Sequence, residues 1–502
     1  MAKFLRVSCS CVAVSIAALF AASPAPCQET RPGDDLRLLV PNCDDDDGDG
    51  VADAEDAVIN GDADLADLLE IGTASSASDA SSRFTIEGRG RDAYRLLELK
   101  QADGRIRVFV EATRRRSPGT QALVVEKRSE AGRERRLETP IDVRPFAVCS
   151  AIDAPTEVFV VEHPQTKSFV DALRGALAPD ALRLTVFNRL ANGDRWVQDT
   201  AEFGYFVGAS MSVALKGMRG RFQFYSCAEL DAKMAAAVTA PNRGLLVAGE
   251  PRKANHYQDW FGNLEAFPPH TGPDGVARPH GRIIVGRERD TTMHVSVLRL
   301  FEEQGVQWPP ITLDVGFLQI AHVDEVINFV PCKTARLGFK VLLASPAKGR
   351  ALLEELSRGG HGDAKMLEGK ARGEITVDRL LADEATTVSN AAAVVAMQKN
   401  RELLARETGL TDADIIDVPV YYRPRGIGVW PGGVNGVTLG SRFLVPRVFG
   451  PMVDGKDAIE SVLTDSLRAA GVEPVVLDCY EGYSAQDGQI HCGTNVARIA
   501  GR

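Results

Sequence analysis

Short runs in which hydrophobic and polar residues alternate dominate the chain up to about residue 146. Residues 84–86, 94–99, 106–110 and 123–126 are apolar or alternating runs, separated by turns rich in Gly, Asp and Ser. Because successive side chains of a strand point to opposite faces, this pattern is typical of half-buried strands. It predicts a small β-sandwich.

After about Cys149 the pattern changes to an alternation of strands and helices. Apolar runs predict strands at residues 157–161, 182–187, 283–286, 341–343 and 474–477. Longer periodic segments predict helices at residues 166–177, 293–304, 388–407 and 458–470. Alternating strands and helices indicate an α/β domain, and we expect its connecting loops to carry the functional residues.

The composition is that of a globular protein with more than one domain. The chain has 502 residues, of which 44% are hydrophobic and 25% are charged, enough for a sizeable core in each domain. The formal net charge of -10 argues against a nucleic-acid partner. It suits a cationic substrate or bound metal cations.

Residues 1–26 have the character of a signal peptide. Lys3 and Arg6 precede an apolar stretch at residues 7–22, and residues 21–25 are small enough for cleavage. We therefore expect a secreted or periplasmic protein, with a cytoplasmic location as the alternative. The apolar stretch is short for a membrane span and the rest of the sequence offers no other candidate, so we expect no membrane span.

The strongest anomaly in composition is an acidic stretch at residues 42–50. Asp45, Asp47, Asp49 and Gly50 follow a D-x-D-x-D-G order, which spaces oxygen ligands as a Ca²⁺ site requires. Further acidic residues follow at positions 53, 55, 56, 62, 64 and 67. The stretch is not a standard EF-hand, and a solvated acidic loop is the alternative to a calcium site.

Four residues of the second part suit chemistry on a guanidinium group: Asp199, His322, Asp324 and Cys492. Two carboxylates can hold the planar guanidinium fork, a thiolate can attack its central carbon, and an imidazole can protonate the departing ammonia. Cys492 follows a turn signal at residues 487–488, so we expect the thiol at the tip of a loop. Each residue alone also has a structural explanation. The 9 Cys of the chain show neither metal-ligand spacing nor a disulfide framework.

The motifs around these residues, taken together, resemble those of the protein-arginine deiminases. They lie at residues 193–199 (Gly-Asp-Arg-Trp-Val-Gln-Asp), 202–205, 242–245, 261–265, 322–325, 414–419 and 491–496 (His-Cys-Gly-Thr-Asn-Val), in the family's order. The resemblance implies an immunoglobulin-like, calcium-binding β-sandwich domain at residues 27–149. It also implies an α/β propeller of five repeats, the catalytic domain, at residues 150–502.

The resemblance assigns roles to individual residues. It implies that Cys492 is the nucleophile, that His322 is the general acid, and that Asp199 and Asp324 bind the guanidinium. Arg243 would contact the substrate backbone, and Trp196 would pack on the substrate side chain. The implied calcium ligands beside the active centre are Gln198, Glu202, Phe261, Leu264 and Glu265. Those of the first domain are Asn42, Asp44, Asp46, Asp53 and Asp56.

We therefore expect calcium-dependent hydrolysis of peptidyl-arginine to peptidyl-citrulline and ammonia through a Cys thiouronium intermediate. Thr200 and Val238 replace the family's acidic ligands of a second catalytic-domain calcium, so we expect that second site to be missing. Gln486 stands where some members have a substrate-contacting Arg, which leaves the peptide preference open. The alternatives are a deiminase of free arginine or another small guanidino compound, and an inactive calcium-binding module.

Overall fold

The structure is a computed structural model that describes residues 36–46, 48, 52, 58–59, 64–130, 132–188, 190, 193–219, 221–222, 225–249 and 256–500. The predicted signal peptide and the predicted calcium ligands Asp53 and Asp56 lie outside the described residues. Among the helices of the described residues, none has both the length and the apolar character needed to cross a bilayer.

Two sheets near the N-terminus share one hydrophobic core. The first contains, in spatial order, Arg37–Leu39, Arg133–Val143, Ala122–Glu130 and Phe84–Glu87. The second contains Leu69–Ala74, Ile106–Ala112 and Tyr94–Lys100. Leu39 and Ile141 of the first sheet pack with Val110 of the second, because alternate residues of each strand face inward. The predicted strands at 84–86, 94–99, 106–110 and 123–126 are confirmed, and each is longer than predicted. The helices Asp64–Asp67 and Ala77–Arg83 belong to the same part.

Five sheets of the described second part repeat one pattern, in which two antiparallel strands are joined by a helical connection to a third strand parallel to one of them. Four of these units follow one another along the chain. The first contains Ala201–Phe206, Ser212–Lys216, helix Ala228–Val238 and Arg243–Val247, and the second contains Leu264–Phe267, Arg282–Glu288, helix Val295–Gln304 and Ile311–Asp314. The third contains Ile327–Pro331, Phe339–Ser345, helices Pro346–Leu356, Val377–Leu381 and Glu384–Thr408, and Ile415–Pro419, and the fourth contains Val437–Leu439, Arg442–Pro446, helix Ala458–Ala469 and Glu473–Leu477. The strand Phe146–Val148, which precedes the predicted boundary, joins the first of them.

The fifth unit joins the beginning of this part to its end. The strand Thr494–Ile499 pairs antiparallel with Ala154–Glu162, whose parallel neighbour Arg183–Asn188 follows the helix Lys167–Leu177. The short helix Ile490–Gly493 directly precedes Thr494–Ile499. This closure therefore brings Cys492 next to the segment that carries Gln198, whose backbone N–H donates to the Cys492 carbonyl at 3.4 Å.

Short hairpins complete the described strands. They are Arg221–Phe222 with Tyr225–Ser226, His270–Thr271 with Ala277–Arg278, Lys365–Met366 with Ile375–Thr376, Tyr422–Arg423 with Ile427–Gly428, and Met452–Val453 with Lys456–Asp457, while Thr291–Thr292 pairs with Arg282–Glu288. The four helices and five strands predicted for this part are confirmed. The helices Ala228–Val238 and Pro346–Leu356 were not predicted.

Candidate active site

A cavity of about 330 Å³ opens at the ends of several loops of the second part. Its wall contains three of the predicted catalytic residues, Asp199, His322 and Cys492, together with the predicted packing residue Trp196. A volume at the small end of the range for ligand cavities suits a single extended side chain. The sequence-predicted catalytic residues are therefore brought to one place, although they are far apart along the chain.

Cys492 lies in the short helix Ile490–Gly493, so the expectation of a thiol at a loop tip is corrected. The helix is anchored because the Cys492 N–H donates to Asn435 Oδ1 at 3.2 Å. Burial, followed by the charges of Asp324 and Asp199, raises the pKa of the Cys492 thiol well above its usual value. These surroundings therefore disfavour the thiolate form of Cys492.

Asp324 lies directly behind the thiol and is almost fully buried. Its Oδ2 is 3.5 Å from Cys492 Sγ and accepts a hydrogen bond from His491 Nδ1 at 2.9 Å. Its Oδ1 is buried and has no hydrogen-bond partner among the described residues. A buried carboxylate oxygen without a donor is unfavourable. This oxygen is therefore a ready acceptor for an N–H group that enters beside the thiol.

His322 and Asp199 face each other on the cavity wall. His322 Nδ1 is 3.7 Å from Asp199 Oδ1, while His322 Nε2 donates to the Tyr257 carbonyl at 2.9 Å. Gly262 lies against this pair, since a Cβ there would be 2.4 Å from His322 Nδ1 and 3.0 Å from Asp199 Oδ1. Burial raises the pKa of Asp199 to about 6, with His322 and Arg219 acting in the opposite direction.

The two predicted substrate-contacting residues are placed differently. Trp196 lines the cavity, and its ring lies 5.8 Å from the Tyr483 ring. Arg243 is not part of the cavity wall: its Nη2 is 3.0 Å from Glu157 Oε2, and its guanidinium lies over the Phe159 ring. The structure therefore brings Trp196, but not Arg243, to the thiol.

Oxygen atoms of side chains and backbone form a second cluster next to the active centre. The predicted ligands are Gln198, Glu202 and Glu265 through their side chains, and Phe261 and Leu264 through their carbonyl oxygens. Gln198 Nε2 lies 2.7 Å from Glu202 Oε2 and 3.4 Å from the Phe261 carbonyl oxygen. A small cavity of about 20 Å³ is lined by Gln198, Glu202 and Glu265. Burial raises the pKa of Glu202 to about 8 and that of Glu265 to about 7. Two buried carboxylates with an amide and a carbonyl oxygen match the donor set of a hard cation such as Ca²⁺.

His491 connects this cluster to the thiol. Its Nε2 is 3.3 Å from Glu265 Oε1, and its Nδ1 is 2.9 Å from Asp324 Oδ2. Although burial alone would lower it, the carboxylates of Glu265 and Asp324 raise the pKa of His491 to about 9. The sequence suggested only a neighbour of Cys492 at this position, whereas the structure makes His491 the link between the two sites.

The acidic stretch near the N-terminus also forms a cluster. Asp44, Asp46 and Asp67 each offer a carboxylate oxygen within 4.8 Å of the others. Asn42 Nδ2 donates to Asp64 Oδ1 at 3.0 Å. Asp64 and Asp67 were not assigned as ligands from the sequence. The sequence feature that could have identified them as ligands is the D-x-x-D spacing of the short helix Asp64–Asp67.

Two residues near the cavity escaped the sequence reasoning. Trp260 lines the cavity, and the buried guanidinium of Arg219 lies 5.3 Å from its ring centre. Arg219 Nη2 also pairs with Asp194 Oδ2 at 2.9 Å. Trp260 directly precedes the 261–265 motif and is one of 4 Trp in the chain, which could have drawn attention to it. Arg219 belongs to no motif, so the sequence carried no signal for it.

Comparison with known proteins relates this site to one family. Residues 140–500 match the family described as "Protein-arginine deiminase (PAD)". Protein-arginine deiminase type-4 of Rattus norvegicus is 31% identical over 372 residues, covering 71% of this chain and 54% of the relative. Protein-arginine deiminase type-3 of Homo sapiens is 31% identical over 369 residues, with the same shares of 71% and 54%. The chain thus spans about half the length of the curated relatives it matches. A solved structure of C. jejuni agmatine deiminase aligns with a TM-score of 0.43 and 12% identity, covering 72% of this chain and 98% of that one.

Proposed function

This chain belongs to the protein-arginine deiminase family, and from that premise we propose that it hydrolyses the guanidinium of arginine side chains in proteins to citrulline and ammonia. The observation that carries the proposal is the 3.5 Å contact between Cys492 Sγ and Asp324 Oδ2 beside the His322–Asp199 pair. A thiol, an imidazole and a carboxylate in one cavity wall, with the Asp324 carboxylate directly behind the thiol, are the groups that this reaction requires.

The cavity wall favours a guanidinium over a primary ammonium. The five N–H donors of a guanidinium lie in one plane and can reach two carboxylates at once. Asp199 offers one carboxylate on the wall, and the partnerless Oδ1 of Asp324 offers another beside the thiol. The alkyl stem of the substrate would lie between Trp196 and Trp260, which both line the cavity.

The first chemical step forms a covalent adduct. The bound guanidinium lowers the pKa of the Cys492 thiol, whose proton passes to His322, and the thiolate attacks the central guanidinium carbon. The carbon–sulfur bond forms, and the carbon–nitrogen bond to one terminal nitrogen then breaks. His322 gives a proton to that nitrogen, which leaves as ammonia. The product of this step is a positively charged S-alkylthiouronium on Cys492, still held by Asp199 and Asp324.

The second step releases the product with water. His322, now neutral at Nδ1, accepts a proton from a water molecule that attacks the same carbon. The carbon–sulfur bond breaks, its electron pair returns to Cys492, and the second proton of the attacking water passes to the sulfur to restore the thiol. A ureido group, that of citrulline, leaves the cavity as a neutral molecule. The loss of its positive charge weakens its attraction to Asp199 and Asp324, which promotes release.

We also propose that the activity depends on calcium. Gln198, Glu202 and Glu265 supply oxygens that suit Ca²⁺, with the Phe261 carbonyl close by, and a bound cation would supply the positive charge that keeps both carboxylates ionised. Gln198 is next to Asp199 in sequence, so the position of one fixes the other. The contacts from Glu265 through His491 to Asp324 support a second route from the cluster to the thiol. Asp44, Asp46 and Asp67 are proposed ligands of a further ion.

We also propose an architecture and a location. The five repeated strand–helix units, with the C-terminal strand closing the fifth, support an assignment as the blades of a five-bladed α/β propeller. The two N-terminal sheets with a shared core support an immunoglobulin-like sandwich that carries calcium ligands. We propose that the protein is exported, as residues 1–26 predict.

The placement of Arg243 favours a second candidate, a deiminase of free arginine or a small guanidino compound. Arg243 pairs with Glu157 and so does not reach the cavity, where it would contact a peptide backbone. The carboxylates of Asp194 and Asp487 also line the cavity, but each is paired with an arginine, Arg219 or Arg372, so their charge does not decide between the candidates. We give more weight to the match of residues 140–500 to the protein-arginine deiminases, which favours arginine side chains in proteins.

A substrate comparison separates the two candidates. Formation of ammonia and of the ureido product would be measured in saturating calcium for a blocked arginine ester, an arginine-containing peptide, free arginine and agmatine. We expect kcat/KM for the blocked ester to exceed that for free arginine at least about tenfold. Equal or better use of free arginine or agmatine would establish the second candidate. No ureido product from any of the four would overturn both.

A further inference from the structure

The turn at residues 484–489, which immediately precedes the nucleophile helix, is packed against the cavity. Asp487 has a left-handed backbone conformation with φ of 67°. A Cβ on Gly488 would lie 2.3 Å from Trp196 Cζ3 and 3.3 Å from Cys492 Cβ. Asp tolerates this conformation better than most residues that have a Cβ, and the turn has its own hydrogen bond from the Asp487 N–H to the Ser484 carbonyl at 3.3 Å. Contacts from elsewhere in the fold add to this local support.

Two donors hold the Asp487 carboxylate. The Arg372 guanidinium donates to Asp487 Oδ1, and Gln319 Nε2 donates to Asp487 Oδ2 at 3.0 Å. The Arg372 and Asp487 side chains are only 20% and 23% exposed, so solvent screens their attraction incompletely. Arg372 is itself fixed, because its backbone N–H donates to Tyr480 Oη at 3.2 Å and its Nη1 to the Gly428 carbonyl at 3.4 Å.

Arg372 reaches this turn from a distant loop. The loop connects the short strands Lys365–Met366 and Ile375–Thr376, and Arg372 is 115 residues from Asp487 in sequence. Lys370 anchors the same loop, since its Nζ lies 4.0 Å from the Phe449 ring centre and 3.6 Å from an Asp478 carboxylate oxygen. The loop is thus fixed at Lys370, and Arg372 extends from it to the edge of the cavity.

Asp487 also lines two cavities whose walls both include Cys492. It lines the 330 Å³ cavity, and it lines a smaller cavity of about 50 Å³ on the other side, which Arg372 and Gln319 also line. Both cavities include Cys492. A carboxylate in this position would attract a substrate cation if its own cation were removed. Arg372 therefore both fixes the turn and neutralises a carboxylate that competes with Asp199.

We propose that Arg372 is a positioning residue for deimination, which acts through its ion pair with Asp487 to hold the turn that presents Cys492. This inference rests on the proposed function for its kinetic part. Loss of the Arg372 guanidinium leaves Asp487 charged and facing the cavity, so that the substrate binds but is held away from the thiol. The signature is a fall in kcat without a rise in KM, because non-productive binding lowers both parameters.

The test uses Arg372→Met, Arg372→Lys and the control Arg401→Met. Arg401 has a side chain 22% exposed and pairs with Asp417, so it matches Arg372 in burial and pairing but lies outside the cavity walls. Kinetics on a blocked arginine ester are combined with the rate at which iodoacetamide alkylates Cys492, read by peptide mass. We expect Arg372→Met to lower kcat about tenfold with KM unchanged or lower, and to change the alkylation rate at least about threefold. Arg372→Lys should recover part of the lost kcat and part of the change in alkylation rate. Arg401→Met should match the wild type in both quantities.

Several results would overturn the proposal. One is a kcat and an alkylation rate for Arg372→Met within about twofold of the wild type. Another is an equal loss in Arg401→Met, which would indicate general destabilisation. If Arg372→Met does not fold, Asp487→Asn removes the same ion pair from the other side, and wild-type alkylation in that variant would also contradict the proposal. If the wild type forms no citrulline, the proposed function fails, while the alkylation rates still report whether Arg372 positions Cys492.

Discussion

The Cys492 thiol is the residue on which the proposed chemistry depends. It is the one cysteine in the wall of the 330 Å³ cavity among the described residues. We expect Cys492→Ala to remove citrulline formation completely and to leave the unfolding temperature nearly unchanged, because no other described thiol can form the adduct. Cys332→Ala, which removes another buried thiol remote from the cavity, should retain activity. Citrulline assays and thermal unfolding of both variants check this, and measurable turnover by Cys492→Ala would refute the nucleophile assignment.

Asp324 offers the sharpest test of guanidinium binding. Asp324→Asn preserves the shape of the side chain but removes the charge next to Cys492. We expect kcat/KM to fall on the order of a hundredfold, because the guanidinium loses one charged partner in a desolvated site. Asp142→Asn is the matched control, since Asp142 is a buried carboxylate of the N-terminal sheets. A near-normal kcat/KM for Asp324→Asn, measured on the blocked ester, would exclude Asp324 from that role.

At the residue scale, the sequence predicted side chains that belong to a local motif and missed those that depend on distant partners. Cys492, His322 and Asp199 were predicted because their chemistry fits one reaction. Arg372 could not be predicted, because its partner Asp487 is 115 residues away and no local pattern links the two. Arg243 was assigned to the substrate by resemblance alone, and the structure pairs it with Glu157 instead.

The short helix Phe261–Asn263, which leads into the strand that carries Glu265, also shapes the acid–base pair. Gly262 leaves the space in which His322 Nδ1 approaches Asp199 Oδ1. We expect Gly262→Ala to lower kcat at least about tenfold, because the methyl group would separate the two side chains. The control is Gly175→Ala in the helix Lys167–Leu177, where a Cβ meets nothing within 4 Å. It should keep full activity and gain about 0.5–1 kcal/mol of stability. Kinetics and urea unfolding measure both effects, and an unaffected kcat in Gly262→Ala would contradict this packing argument.

Elements with a clear hydrophobic period were predicted well. In the helix Lys167–Leu177, the buried residues Phe169, Val170, Leu173 and Leu177 form one apolar face. The helix Ala228–Val238 was missed because its run of alanines gives no such contrast between faces. The strand Thr494–Ile499 was missed for a different reason: its partner Ala154–Glu162 is near the other end of the second part, and pairing at that distance leaves no local signal.

At the scale of the whole molecule, buried histidines make stability depend on pH. His270 is 8% exposed, and burial together with Arg278 and Arg282 lowers its pKa. Its pKa in the unfolded chain is about 6.5, so below that pH the unfolded state binds a proton that the folded state resists. We therefore expect the contribution of His270 to the free energy of unfolding to fall as the pH drops below about 6.5, whereas buried carboxylates with a raised pKa, such as Glu202 and Glu265, act in the opposite direction.

His270→Gln should flatten this dependence, because glutamine stays neutral in both states. Urea unfolding of the wild type and His270→Gln between about pH 5 and about pH 8 provides the measurement. If the two curves remain parallel over that range, His270 does not contribute to the pH dependence.

The N-terminal acidic stretch is joined to the second part of the chain. Asp44 Oδ2 accepts a hydrogen bond from the Asn242 N–H at 2.7 Å, and the Cys43 carbonyl accepts one from the Leu245 N–H at 3.0 Å. The proposed ligand Asp44 and its neighbour Cys43 therefore contact the strand Arg243–Val247 and the residue before it. Calcium binding to either cluster should accordingly stabilise the whole molecule, by an amount that grows with the calcium concentration.

We expect Cys492 to deiminate arginine side chains only when the buried cluster of Gln198, Glu202 and Glu265 holds calcium. The amounts of citrulline and ammonia formed from a blocked arginine ester would be measured in calcium and in excess chelator. We predict equal amounts of both products in calcium, a loss of activity in chelator that added calcium reverses, and no product from Cys492→Ala in either condition. Full activity in excess chelator would contradict the calcium control, and citrulline formation by Cys492→Ala would contradict the chemistry itself.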